Sequence, residues 1–273
     1  MTSPYVIWTI IFTVVPLLII IFYSFAQRDA FGDVVYKFTL SNYKDFFEPI
    51  YLNVFWRSLK LSLISTVICL FLGYPMAFIM SRSKGLKQNL MVMLFILPLW
   101  TNFLLRTYAW MGLLRDQGII NELLIKLGLI SETITMLYTN SAVVLGMVYN
   151  FLPFMVLPIF SVLSKMDKSL IEAARDLGAN EMNVFMKIIF PLSFPGVATG
   201  IVMVFMPAVS TFVISDLLGG GQTILLGNLI QNQFMAARNW QFGSSVSVIM
   251  MILLIISMGS FAKNRCMDDG GKI

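Results

Sequence analysis

Residues 164–190 gather eight charged side chains, four basic and four acidic, between two long apolar stretches. Ser169 followed three residues later by Glu172 is a capping-box pattern and predicts a helix that begins there. Leu170, Ala173, Ala174 and Leu177 recur at i, i+3, i+4 and i+7 as one apolar stripe, and Lys168, Glu172, Arg175 and Asp176 supply the polar surface. Gly178 stands at the helix C′ position, which requires positive φ. Asn180 is placed to cap a second helix, running through Phe185 to Phe190 and stopped by Pro191. The product is a compact two-helix elbow with balanced charge, suited to a solvated connector or to a knob that docks in a partner's groove.

Several chemistries are absent. The chain has no histidine, which removes imidazole-based zinc sites and His-dependent acid/base or triad catalysis. Cys69 falls in an apolar stretch and Cys266 in the tail, so neither a disulfide framework nor a CxxC centre can form. Gly219, Gly220 and Gly221 precede Gln222 and Thr223 with no lysine, so no phosphate-cradling loop is present. If ATP drives this protein, another chain binds it.

The elements that must carry the elbow follow from composition. Of 273 residues, 58% are hydrophobic and 12% charged, with mean hydropathy +0.82, too little charge to cover a soluble globule. A bilayer crossing takes about 20 residues, and six apolar stretches qualify: 5–25, 61–81, 89–112, 142–164, 191–214 and 240–262. The first lacks the basic n-region of a signal peptide and reads as a retained span. A seventh charge-free run, 217–237, holds Gly219, Gly220, Gly221, Gln222, Asn228, Gln231 and Asn232, whose polar groups lipid cannot satisfy. It reads as a loop with a short re-entrant or surface helix. The fold class is therefore an all-α integral membrane protein with six transmembrane helices.

Arg82, Lys84 and Lys87 occupy a short loop without any acid, which the positive-inside rule places in the cytoplasm. Both termini and the 165–190 loop then lie on the same side. The net charge of +5 is topological and calls for no nucleic-acid partner. Pro16, Pro75, Pro98, Pro153, Pro158, Pro195 and Pro207 fall within or beside the spans, and Gly73-Tyr74-Pro75 is expected to interrupt the second. Such prolines are tolerated where neighbouring helices satisfy the freed carbonyls.

Glu172-Ala173-Ala174, three residues, Gly178, nine residues, Ile188, one residue and Phe190-Pro191 resembles the E-A-A-x3-G-x9-I-x-L-P signature of ABC importer permeases, with Phe190 in place of Leu. Likeness extends through Asn42-Tyr43, Leu72-Gly73-Tyr74-Pro75, Leu97-Pro98-Leu99-Trp100-Thr101-Asn102, Leu105-Arg106-Thr107-Tyr108-Ala109-Trp110, Leu152-Pro153-Phe154 and Ser215-Asp216-Leu217-Leu218-Gly219-Gly220 to the spermidine/putrescine branch of that family. The resemblance implies a type I ABC importer permease fold in a bacterial cytoplasmic membrane, as one 1–273 transmembrane domain. It further implies a heterodimer with a companion permease, two copies of a cytoplasmic ATPase that bind ATP and Mg, and an extracytoplasmic polyamine-binding protein. This chain itself would bind no cofactor and no metal, and would be a translocation subunit rather than an enzyme. The 165–190 loop would couple to the ATPase through Glu172, Ala173, Ala174, Arg175, Asp176 and Gly178, with Glu172 acting by surface contact and Gly178 by its backbone angle.

A polyamine cargo wants isolated carboxylates or carbonyls for its ammonium groups and aromatic faces for cation–π contact. Asp216 is the only acid between Glu181 and Asp268 and ends a charge-free run; it suits a pathway role or an N-cap of the following segment. Ser210 and Thr211, beside Pro207, offer hydroxyls and bared carbonyls. Trp100, Tyr108 and Trp110 can line the pathway or belong to an interfacial aromatic belt. Arg106 among them would repel a polycation and is expected to bind backbone or an acid. Tyr149 and Asn150 can line the route or join helices. A stand-alone ion-coupled secondary transporter is the alternative; it calls for acids within spans and for repeat symmetry, and neither is seen.

Overall fold

The structure, a computed structural model, describes residues 3–29, 34–35 and 37–269. Both termini end outside the described residues. Among the described residues five helices are long and apolar enough to cross a membrane: Val6–Ser24, Pro49–Arg82, Asn140–Ser164, Glu181–Ser210 and Trp240–Gly259. Two further apolar arms, Leu86–Trp100 and Phe103–Lys126, meet at a bend of 94° and make a sixth crossing when counted together as one broken span.

That bend departs from the single span expected over 89–112. Thr101 takes an extended conformation, and its hydroxyl closes the first arm by donating to Pro98 O at 2.7 Å. Asn102 then starts a new helix, its Oδ1 accepting from the Leu104 N–H at 2.8 Å. A side chain that satisfies an orphan N–H at a helix start stabilises it by about 1 kcal/mol, so the Thr-Asn pair after Pro98 acts as a stop followed by a start.

Other prolines bend expectation the opposite way. The second span continues through Pro75 to Arg82 instead of breaking at Gly73-Tyr74-Pro75. Its neighbours hold it there: Gly73 sits against Met155 and Val156, and the Tyr74 hydroxyl shares a 2.9 Å hydrogen bond with Ser193 Oγ. Pro191 does not stop the second elbow helix, which runs on into the fifth span from Glu181 to Ser210. A π turn over Phe185–Ile189, closed by Phe190 N–H to Phe185 O, lies just before Pro191. The first span repeats the device, with a π turn over Ile10–Val14 closed by Val15 N–H to Ile10 O, just before Pro16. Proline clashes with the carbonyl four residues back and leaves it without a donor. A wide turn at that place re-routes the ladder and lets each helix pass.

The second, fourth and fifth spans form the core. Gly196 and Gly200, a small-xxx-small pair, let the fifth span approach the fourth closely. A Cβ on Gly196 would lie 3.0 Å from Pro158 O and 3.1 Å from Ile159 Cα, and one on Gly200 would lie 2.7 Å from Met155 Sδ. Because backbone rather than a flexible side-chain end blocks the site, Gly196→Val is expected to cost about 2 kcal/mol or more by overpacking. A lowered melting temperature of the detergent-solubilised chain, with less protein in the membrane, checks it.

The second span is 34 residues long, about 51 Å at 1.5 Å per residue, against a hydrocarbon core of about 30 Å. Its N-terminal end, through Tyr51, Leu52 and Phe55, packs on Phe46, Val209, Leu226, Leu229, Phe242 and Val246 in a second apolar cluster. The first span packs against the sixth and otherwise faces outward, with none of its apolar window buried. A two-residue ribbon, Gln27–Arg28 antiparallel to Val34–Val35, is the only strand pairing among the described residues. Within 217–237 lies the ten-residue helix Leu226–Met235, too short to cross.

Candidate functional site

The elbow is built as a rigid corner. Its first helix is Lys168–Asp176, capped by Asp167, whose Oδ1 accepts from the Ser169 N–H at 2.9 Å; the expected cap, Ser169, lies within the first turn. That backbone N–H holds the Asp167 carboxyl below the usual carboxylate range, so the cap outlasts mild acidification and is lost only as pH falls through the lowered value. At the other end Gly178 adopts φ +82°. Gly178 N–H bonds to Arg175 O at 2.8 Å and Ala179 N–H to Ala174 O at 3.0 Å, the paired bonds of a Schellman ending. Asn180 Oδ1 then accepts from the Asn183 N–H at 2.8 Å and opens the helix Glu181–Val184. An Arg175–Glu181 ion pair of 2.7 Å spans the corner.

The apolar stripe divides into two. Ile171 and Ala174, with Ala179, pack on the core, whereas Leu170, Ala173 and Leu177 face outward, Leu177 at 89% exposure. The stripe read from the sequence is therefore mainly an exposed ridge, because Ile171, one residue along, takes the inward position. Glu172 lines a cleft between the elbow and the 82–87 loop. Asp176 is exposed.

On the opposite side the fifth span ends at Ser210, and the chain turns through Thr211 and Phe212 into the helix Val213–Gly219. Asp216 lies inside this helix, its N–H bonded to Phe212 O, and so is not an N-cap of the next segment. It is exposed, with Oδ1 accepting from Asn228 Nδ2. Asn228 is 3% exposed and uses its whole amide: Nδ2 also donates to Phe212 O at 3.0 Å, while Oδ1 accepts from Ser215 Oγ at 2.6 Å and Leu225 N–H at 2.9 Å. Ser58 on the second span accepts from Leu226 N–H at 2.7 Å, and Arg57 donates to Gln222 O at 2.9 Å. Tyr138 N–H donates to Leu218 O at 2.8 Å. The segment carrying Asp216 is thus bolted to the N-terminal ends of the second and fourth spans. Asn228 belongs by composition with the polar residues of the 217–237 run; its signal as a cap is its place three residues after Leu225, where an Asn side chain can reach back to a helix-start N–H.

The remaining pathway residues scatter. Ser210 Oγ donates to Met206 O at 3.1 Å, and the Ser210 and Thr211 carbonyls lie against Gly227, where a Cβ would approach them to 2.5 and 2.7 Å. They are covered rather than bared, because the helix continues through Pro207 and Gly227 closes over its end. Trp110 meets Tyr149 edge-to-face at 5.3 Å. Asn150, 1% exposed, donates to Gly146 O at 2.9 Å, and its Oδ1 has no partner among the described residues. Trp100, 79% exposed, and Tyr108 have no ring contact or hydrogen bond to Asp216. Arg106 buries Nε and Nη1 without a hydrogen-bond partner among the described residues, contrary to the expected backbone or acid contact. The acid on the adjacent helix Val213–Gly219, Asp216, is engaged by Asn228.

Residues 70–264 match the family model of binding-protein-dependent transport system inner membrane components. The chain is 43% identical over 249 residues to the spermidine/putrescine transport system permease protein PotB of Haemophilus influenzae, covering 91% of this chain and 87% of that protein. It is 42% identical to PotB of Escherichia coli K12, covering 90% of both. A chain of the bacterial alginate ABC transporter in complex with an alginate pentasaccharide-bound periplasmic protein superposes with TM-score 0.77 at 14% identity, over 96% of this chain and 91% of that one. A chain of the MetNI methionine ABC transporter, inward facing, superposes with TM-score 0.55 at 16% identity, over 78% of this chain and 93% of that one.

Proposed function

Because this chain belongs to the family of binding-protein-dependent transport system inner membrane components, and within it to the PotB type, we propose that it moves spermidine and putrescine across the bacterial inner membrane. It is a permease subunit and not itself catalytic. ATP and Mg act at a separate cytoplasmic ATPase. The working assembly pairs this chain with a companion permease above two ATPase copies, and an extracytoplasmic binding protein delivers the polyamine. Both termini, the 82–87 loop and the elbow face the cytoplasm.

One observation carries the coupling role: a corner fixed by Asp167, the Gly178 ending and Asn180 presents Leu170, Ala173 and Leu177 outward. A leucine at 89% exposure on a polar extramembrane loop gains about 1.5–3 kcal/mol when a partner covers it. The knob of such a ridge fits a groove on the ATPase, and closure of the ATPase pair pushes the elbow. Its second helix is continuous with the fifth span, so the push reaches the membrane without a hinge between them. The fifth span in turn packs on the fourth and second, and this packing is what would make the three rock together.

Co-purification tests this reading. The ATPase is expected to come down with the wild-type chain and to fall at least about tenfold with Leu170→Glu/Leu177→Glu, since two buried leucines contribute more than the 1.4 kcal/mol of a tenfold change. A chain that transports at full rate alone in proteoliposomes is a stand-alone transporter, and that result overturns the proposal.

A further inference from the structure

We propose that the cleft between the elbow and the 82–87 loop binds the phosphate headgroup of an anionic phospholipid of the cytoplasmic leaflet. The cleft encloses about 430 Å³. Its walls are the cytoplasmic ends of the second, fourth and fifth spans, represented by Phe78, Leu163 and Ile189, together with the basic loop that holds Arg82 and Lys84. The Arg82 guanidinium lies over the Phe78 ring at 4.3 Å, which fixes it at the boundary between apolar wall and polar mouth. Neither Arg82 nor Lys84 has a carboxylate within salt-bridge reach among the described residues, although Glu172 lines the same space. Arg175, also on the wall, is engaged by Glu181.

Two uncompensated cations call for an anion, and basic pockets between membrane helices on the cytoplasmic side suit lipid headgroups. The apolar wall decides between a lipid and a free phosphate ion. Phe78, Leu163 and Ile189 have nothing to offer inorganic phosphate, whereas glycerol and the first acyl methylenes would cover them. Bound lipid would also tie the loop after the second span to the elbow. This inference rests on the cytoplasmic orientation proposed above, which has its own test.

Native mass spectrometry of the complete transporter, titrated with phosphatidylglycerol or net-neutral phosphatidylethanolamine, reads the site. Phosphatidylglycerol is expected to be retained about thirtyfold more, from roughly 1 kcal/mol for each of Arg82 and Lys84. Arg82→Gln/Lys84→Gln abolishes that preference, and so does Ser164→Phe, which fills the cleft and leaves every charge in place. Equal retention of the two lipids by the wild type, or a preference that survives Ser164→Phe, overturns the proposal. Displacement of the lipid by excess inorganic phosphate assigns a free-anion site instead. A lipid present without the ATPase and absent with it assigns the cleft to the ATPase, and also overturns it. Separately, Lys84→Cys in a Cys266→Ser background is expected to react with an impermeant maleimide in inside-out vesicles and not in right-side-out ones, Cys69 being buried. Reaction from outside refutes the orientation whatever the lipid result.

Discussion

Replacing Gly178 by valine is expected to cut polyamine uptake at least about tenfold while ATP hydrolysis and membrane level persist. The cause is conformational. At φ +82° a β-branched residue is strained, by about 1–2 kcal/mol for the left-handed region and more with its stiff χ1. Crowding plays no part, since a Cβ at Gly178 would meet nothing within 4 Å. Valine therefore relaxes φ, the bonds to Arg175 O and Ala174 O are lost, and the corner between the two elbow helices opens. A knob aimed wrongly still touches its partner but transmits less of the stroke. Gly178→Asn separates this account from a packing effect, because Asn tolerates left-handed φ; it is expected to retain most of the uptake. Proteoliposome uptake and ATPase rate measured on the same preparation provide the check, and normal uptake by the valine variant removes Gly178 from the coupling device.

Asp216→Asn is expected to lower spermidine uptake about tenfold or more and putrescine uptake less. One carboxylate oxygen is held by Asn228 while the side chain stays exposed, which leaves negative charge on a rigid mount for a passing ammonium group. A charged hydrogen bond contributes about 1.5–3 kcal/mol, and spermidine, with more ammonium groups than putrescine, presents more of them to the site. An asparagine oxygen can still accept from Asn228, so the melting temperature should hold. Asn228→Ala gives the opposite pattern. It leaves the buried Leu225 N–H without its partner and removes one hydrogen bond each from Ser215 Oγ, Phe212 O and the exposed Asp216 carboxylate. A stranded buried group costs about 1–3 kcal/mol, so the chain loses stability by that order and takes up both amines equally poorly. Equal losses for the two amines in Asp216→Asn would reduce Asp216 to a structural residue.

Spans with simple punctuation were legible because lipid leaves the backbone few options. A continuous apolar run must be helical, and the elbow's caps, Asn180 and the positive-φ Gly178, declare themselves over three or four residues. Proline was harder to read. Pro191 and Pro16 each sit just after a π turn and end nothing, Pro75 is held in line by contacts of Gly73 and Tyr74, and Pro98 precedes a 94° bend. The residue type is the same in all four places; what differs is the turn before it and the packing around it. Periodicity likewise located an apolar stripe on the elbow but not its direction, since the choice between Ile171 and Leu170 as the inward position depends on where the fourth and fifth spans stand.

The sequence by itself determined the class, the long apolar helices and the corner at Gly178, because hydropathy and capping act locally. Tertiary structure alone decided that Asn228 anchors Asp216, that Gly227 closes over the Ser210 and Thr211 carbonyls, and that Arg106 buries nitrogens without a partner. Those outcomes depend on hydrogen bonds and close approaches between residues 12 or more apart in the chain. Such pairings are fixed by how the helices pack, and no local window contains them.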